Sequence, residues 1–192
     1  MSNEILKKSF LDRAIIFLKK NNKTIYILLV FAFILLCSFT FYNYVENKNN
    51  IKTADQYSEA LILVKKKRIN ESKKILETII NKDHKFYSPL ALYLIIQNNL
   101  EPDSAKVINF FDKILKNKSI DRENLNLIKI KKSIYLINLD KEELVIKTLN
   151  PIINSESAWK VLAINLISEY FLSKNQTTKA KEYILLLKKK KN

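Results

Sequence analysis

Few side chains in this chain could do chemistry. His84 is its only histidine and Cys37 its only cysteine. A metal site needs several convergent ligands, and a histidine-based acid–base pair would have to be built on this one imidazole. Asp83-His84 falls in a stretch read as a loop, where solvent exposure is the expected setting. Cys37 lies inside an apolar run, so no thiol nucleophile is left outside that run and no internal disulfide can form. Glu142-Glu143 stand at an expected helix start, where the backbone dipole favours acids anyway. Glu169 neighbours apolar residues but is expected at the helix surface. The chain has no Gly, which removes the phosphate-cradling loops of P-loop and Rossmann enzymes. The expectation is a non-enzymatic protein with no catalytic residue, no metal ligand and no cofactor.

The net charge of +15 comes almost wholly from Lys. A basic chain raises nucleic acid as a partner. Arg is the residue that forks onto phosphate and reads bases, and only Arg13, Arg68 and Arg122 are present. The Lys, Asn and Ile excess reads as composition drift that leaves solvated Lys faces, and no nucleic-acid partner is expected.

The absence of Gly also bears on fold. An all-β domain normally needs Gly at its turns, whereas helical hairpins can close on Asn in the left-handed cap position. Asn is abundant here and stands where helices should stop. The expected class is all-α.

The elements begin with an anchor. From Ile25 to Tyr42 the chain reads IYILLVFAFILLCSFTFY, and no charge occurs from Thr24 to Val45. That is enough helix to cross the hydrocarbon core, with Tyr26 at one interface and Tyr42 and Tyr44 at the other. No small-residue cleavage site follows, so an uncleaved anchor over 24–45 is expected. Lys7, Lys8, Arg13, Lys19, Lys20 and Lys23 precede the span, while only Lys48 and Lys52 closely follow it. The positive-inside rule then puts the N-terminus in the cytoplasm and the rest in the periplasm, at a bacterial inner membrane. Residues 1–23 alternate basic and apolar side chains at helical spacing, as a helix lying on the lipid surface would.

Residues 46–192 read as paired helices. Breaks rich in Asn, Asp or Lys fall at Lys67–Asn70, Asn98–Asp103, Asn138–Lys141 and Lys174–Thr177. Start signals are Ser88-Pro89, Ser119 with Asp121 close behind, and Ser157. First helices starting near Thr53, Ser88, Asp121 and Ala158 give a period close to that of tetratricopeptide (TPR) repeats. Each hairpin offers a small residue on either helix where the axes could approach: Ala60 with Ser72, Ala91 with Ala105, Ser133 with Val145, and Ser168 with Ala180. The Ala91 pair is stretched around Pro102, and the bulk of Val145 predicts a third hairpin that is splayed or shifted. Trp159, the only Trp, is expected in the core between the third and fourth hairpins. About four such hairpins would stack into a TPR-like solenoid.

These segments carry a resemblance. KKNNKTIYILLVFAFILLCSFTFYNYVENK, DQYSEALILVKKKRINESKKILETII and SAWKVLAINLISEYFLSKNQTTKAKEYI together resemble the YfgM-like family, ancillary subunits of the bacterial SecYEG translocon. Asn175 and Ser168 stand where that family favours Gly, in keeping with a chain that avoids Gly throughout. The resemblance implies a role beside the translocon, with translocon subunits and a membrane-anchored periplasmic chaperone of the PpiD type as partners. A different envelope scaffold, serving cell division, cytochrome maturation or outer-membrane assembly, is the alternative reading.

Overall fold

The computed structural model describes residues 22–188. The expected lipid-surface helix of the tail lies outside them. Among the described residues there are eight helices and no strand. They are α1 (Asn22–Lys65), α2 (Ile69–Asn81), α3 (Tyr87–Gln97), α4 (Ser104–Leu115), α5 (Arg122–Asn138), α6 (Glu142–Ile153), α7 (Lys160–Ser173) and α8 (Thr177–Lys188). The chain divides into two compact units, Met1–Lys52 and Thr53–Asn192.

The first unit holds one helix long and apolar enough to span a membrane, with a mean hydropathy of 1.6 in its span window and none of that window buried. Phe31, Phe33, Leu36 and Phe39 all stand exposed, so this stretch of the helix is apolar all round and carries no core-facing stripe. Its hydroxyls are satisfied internally: Ser38 Oγ donates to Ile34 O at 2.8 Å and Thr40 Oγ1 to Cys37 O at 2.9 Å. Tyr26, Tyr42 and Tyr44 are exposed near the ends of the apolar stretch. The helix does not restart near Thr53 as the repeat spacing suggests. It runs on unbroken to Lys65.

In the second unit, consecutive helices from α2 to α8 pack on one another, and α5 also touches α7. Two clusters fill the core. One centres on Leu76, Ile79, Leu92, Ile95 and Phe111, the other on Leu136, Leu149, Ile152, Ile167 and Phe171. Trp159 is half-buried against the second cluster.

Helices α1, α3, α5 and α7 end alike. Lys67, Asn99, Asp140 and Asn175 take left-handed backbone, with φ of 59°, 50°, 54° and 59°. The next N–H then reaches back five residues: Arg68 to Leu63 O, Leu100 to Ile95 O, Lys141 to Leu136 O and Gln176 to Phe171 O, at 2.9 to 3.0 Å. This Schellman closure satisfies carbonyls that the helix end leaves open. Asn fills two of the four positions, and Lys and Asp fill the others. A Cβ in this conformation costs on the order of 1 kcal/mol. Lys67→Gly should therefore raise stability by up to about 0.5 kcal/mol, once the greater entropy of an unfolded Gly is offset. Thermal unfolding of the detergent-solubilised protein measures this, and a lowered midpoint would contradict it.

Helix starts differ from the sequence reading. Ser88 is no cap: it is fully buried, and its Oγ donates to Ile79 O at 2.9 Å, tying α3 to α2. The start of α3 is instead capped by His84, whose Nδ1 accepts from Phe86 N at 3.1 Å and Tyr87 N at 3.0 Å. His84 is thus half-buried at a helix end. The cap of α5 is Asp121, which accepts from Asn124 N at 3.0 Å, while Ser119 Oγ donates to Asn117 Oδ1.

Candidate partner-binding groove

The first small-residue pair lies at a contact between its two helices. Ala60 and Ser72 are fully buried, and Ser72 Oγ donates to Ala60 O at 2.9 Å across α1 and α2. Ser168 and Ala180 are also buried, with Ser168 Oγ bonded back to Ile164 O. Ala91 is fully buried, but Ala105 is exposed. The link around Pro102 ends at Asp103, whose carboxylate accepts from Ala105 N at 2.9 Å. Ala105 therefore occupies the solvent-facing first turn of α4, and Val107 is the buried residue. Val145 and Ser133 are both fully buried, and α5 and α6 are in extensive contact. The looser pair is the second, where α3 packs more extensively on α2 than on α4.

Between α3 and α5, the first helices of successive pairs, runs an apolar groove. One part, of about 280 Å³, is lined by Tyr93, Ile96, Gln97, Lys131, Ile134 and Asn138 with Phe111 and Tyr135 beneath. The other, of about 190 Å³, is lined by Phe86, Pro89, Leu90, Tyr93, Asn124 and Leu127, with Lys85 at its edge. Tyr93 belongs to both. Groove residues on α5 recur from Asn124 to Asn138, a length of about 21 Å at helical rise. Phe86 and Ile134 expose 61% and 41% of their surface there, too much for core residues. Burial pushes the Tyr93 hydroxyl up to about 12, and it also raises that of Tyr135, with Asp103 and Glu101 adding to the rise. Both phenols stay neutral at physiological pH. Among the described residues, the ionisable side chains lining the groove other than tyrosines are Lys85 and Lys131.

Polar ties brace these helices. Glu101, in the link after α3, has a side chain only 4% exposed, lying 2.9 Å from Lys73 Nζ and 3.0 Å from Lys106 Nζ. Lys106 also reaches Glu77 at 2.7 Å, so α2, the link and α4 share one network. The Lys73 ammonium, then the backbone N–H of Asp103 and Lys106, hold the Glu101 carboxyl at about 2 against its ordinary 4.5. A carboxyl lowered by folding stabilises the fold above its unfolded pKa, and that contribution drains away as pH falls from about 4.5 toward 2. Glu101→Gln should cost on the order of 1–2 kcal/mol at neutral pH, after discounting for solvent screening at the lysines. It should also flatten the acid limb of the stability profile. An unchanged limb would mean that the network is not coupled to folding.

A second knot joins α5 to the start of α7. Ser157 Oγ donates to Glu123 Oε2 at 2.6 Å and accepts from Asn126 Nδ2 at 3.0 Å and Trp159 N at 3.1 Å. The Ser157 hydroxyl, with the Ala158 N–H adding to it, lowers the Glu123 carboxyl below its ordinary value. Ser157 thus works as a junction between helices, a role its sequence position does not announce. Glu142 ties α6 to α8 through Lys179 at 2.9 Å, and Glu169 is exposed. Among the described residues, no three His, Cys, Asp or Glu side chains gather as a metal site would need. Cys37 is exposed on α1.

No family model, curated protein or solved structure matches the chain.

Proposed function

We propose that the chain is a membrane-anchored, non-enzymatic interaction protein of a bacterial inner membrane, its N-terminus cytoplasmic and its C-terminal domain periplasmic. On this reading the domain is a TPR-like solenoid of about four hairpins. It holds partner proteins beside the Sec translocon and a membrane-anchored chaperone. The observation that carries the reading is the groove between α3 and α5, about 21 Å long and edged by exposed Phe86 and Ile134. First-helix grooves of stacked hairpins suit extended or helical segments. The resemblance of the spanning, first-hairpin and last-hairpin segments supplies the choice of partners.

Orientation and partner are tested together. A photo-crosslinking residue placed at Ile134 of the full-length protein, in native membranes, should yield adducts with SecY-type subunits or a membrane-anchored chaperone. The same residue at Lys181, exposed on α8, should yield far fewer. Adducts only with division or cytochrome-maturation proteins would transfer the protein to the alternative scaffold reading. Protease added to intact spheroplasts should digest the chain beyond Lys48, and protection until lysis would reverse the topology.

A further inference from the structure

A second groove, of about 230 Å³, lies on another side of α5, between α4, α5 and α6. Part of its lining is apolar, from Ile108 and Leu115 on α4 and Leu144 and Pro151 on α6. Three lysines line it, Lys129, Lys132 and Lys147, against one acidic residue, Asp112. This chain's lysines mostly lie on solvated faces, but Lys132 is only 8% exposed. Its Nζ donates to Asp112 Oδ1 at 2.6 Å. An ammonium has three N–H groups to satisfy, so one carboxylate oxygen leaves two for whatever fills the groove. The Asp112 side chain is itself 49% exposed, so water shares its charge. Lys129 Nζ donates to a neutral acceptor, Asn126 Oδ1, at 3.2 Å. Lys147 is exposed and has no ion-pair partner among the described residues. Positive charge thus exceeds negative along the groove, and the Lys132 ammonium, held away from water, favours an anion beside it.

We propose that this groove binds a small organic anion, with a phosphoryl or carboxylate group at Lys132 and Lys147 and an apolar stem against Leu115 and Leu144. The site is independent of the α3–α5 groove and of any partner held there. A lipid headgroup and a soluble organic phosphate offer the same chemistry.

The test is titration calorimetry of the full-length protein in non-ionic detergent, with phenyl phosphate as probe. Phenyl phosphate should bind saturably, and inorganic phosphate, lacking the apolar stem, roughly tenfold more weakly. Lys147→Met, at an exposed position that leaves the fold intact, should weaken phenyl phosphate by roughly tenfold, as should Lys132→Met. Asp112→Asn should tighten it by removing the competing carboxylate. Lys131→Met, in the other groove, should change nothing. If the Lys132–Asp112 pair were only structural, both of its variants would melt earlier and neither would tighten binding. No saturable binding, indifference to Lys147→Met, or weaker binding in Asp112→Asn overturns the proposal. In nanodiscs, displacement of phenyl phosphate by phosphatidylglycerol assigns the site to a headgroup, and unchanged binding assigns it to a soluble anion.

Discussion

Phe171→Ala should lower stability by about 3–5 kcal/mol, a large part of the 5–15 kcal/mol that holds a typical domain together. Phe171 is fully buried in the second core cluster. Its ring stacks on Tyr183 of α8 at 5.7 Å between centroids and 16° between planes, and meets Tyr170 at 5.6 Å. Lys179 Nζ sits 5.0 Å from its centroid. Its carbonyl accepts the Schellman bond from Gln176 N. Truncation to Ala therefore opens a cavity at the base of the last turn, and it removes the ring to which α8 is docked. No helix follows α8 among the described residues, so the loss should appear there first. Hydrogen exchange should report faster amides in α8 than in α2 to α4. Leu172→Ala, one residue on at 48% exposure, should stay within about 0.5 kcal/mol of the parent. Equal effects of the two substitutions would mean that α7 presents a different face to α8.

The breaks between helices could be read from the sequence, because Asn, Asp and Lys clusters cannot extend an apolar face and no Gly obscures them. The Schellman turns at Lys67, Asn99, Asp140 and Asn175 fall inside the expected breaks. The caps were harder to read. Ser88-Pro89 has the local signature of a helix start, but the hydroxyl bonds across to Ile79 O and His84 takes over the cap. A cap pattern scores local chemistry only, and a tertiary acceptor at hydrogen-bond distance outcompetes it. The same limit hid the grooves. Nothing in the spacing of Tyr93, Ile134 and Phe86 separates a residue facing a neighbouring helix from one left between two. That Lys132 is buried and Lys131 exposed is likewise settled by which side of α5 meets α4 and α6, not by either side chain. The stretch from Asn43 to Lys52 is as rich in Asn and Lys as the breaks, yet the helix runs through it from the span to Lys65, so composition alone does not mark a helix end.

Phe33→Asp combined with Leu36→Asp should release the protein from the membrane. Twelve Leu, Ile, Phe and Val side chains lie between Ile25 and Tyr42, each favouring insertion by about 0.3–0.6 kcal/mol, for a total of about 4–7 kcal/mol. Two Asp near the middle of the span cost about 2.5–3.5 kcal/mol each, and two apolar contributions vanish with them. The double penalty of about 6–8 kcal/mol cancels the whole driving force. Neither position has a shelter for the charge among the described residues, because Phe33 and Leu36 are 67% and 64% exposed on a span of which no part is buried. Ser38 and Thr40 are tolerated in the same stretch because each hydroxyl bonds a carbonyl of its own helix, which an ionised Asp cannot do. Ser38→Leu should accordingly leave the protein in the carbonate-resistant membrane pellet, while the double Asp variant moves to the supernatant. Its domain should still fold, since the compact second unit begins at Thr53. With the anchor gone, the crosslinks from Ile134 should fall with dilution even if the groove is intact, because tethering raises the effective concentration of the domain at its partner. A double Asp variant that still pellets would place the anchor elsewhere in the chain. Crosslinks undiminished in the released protein would mean that the groove finds its partner by affinity alone.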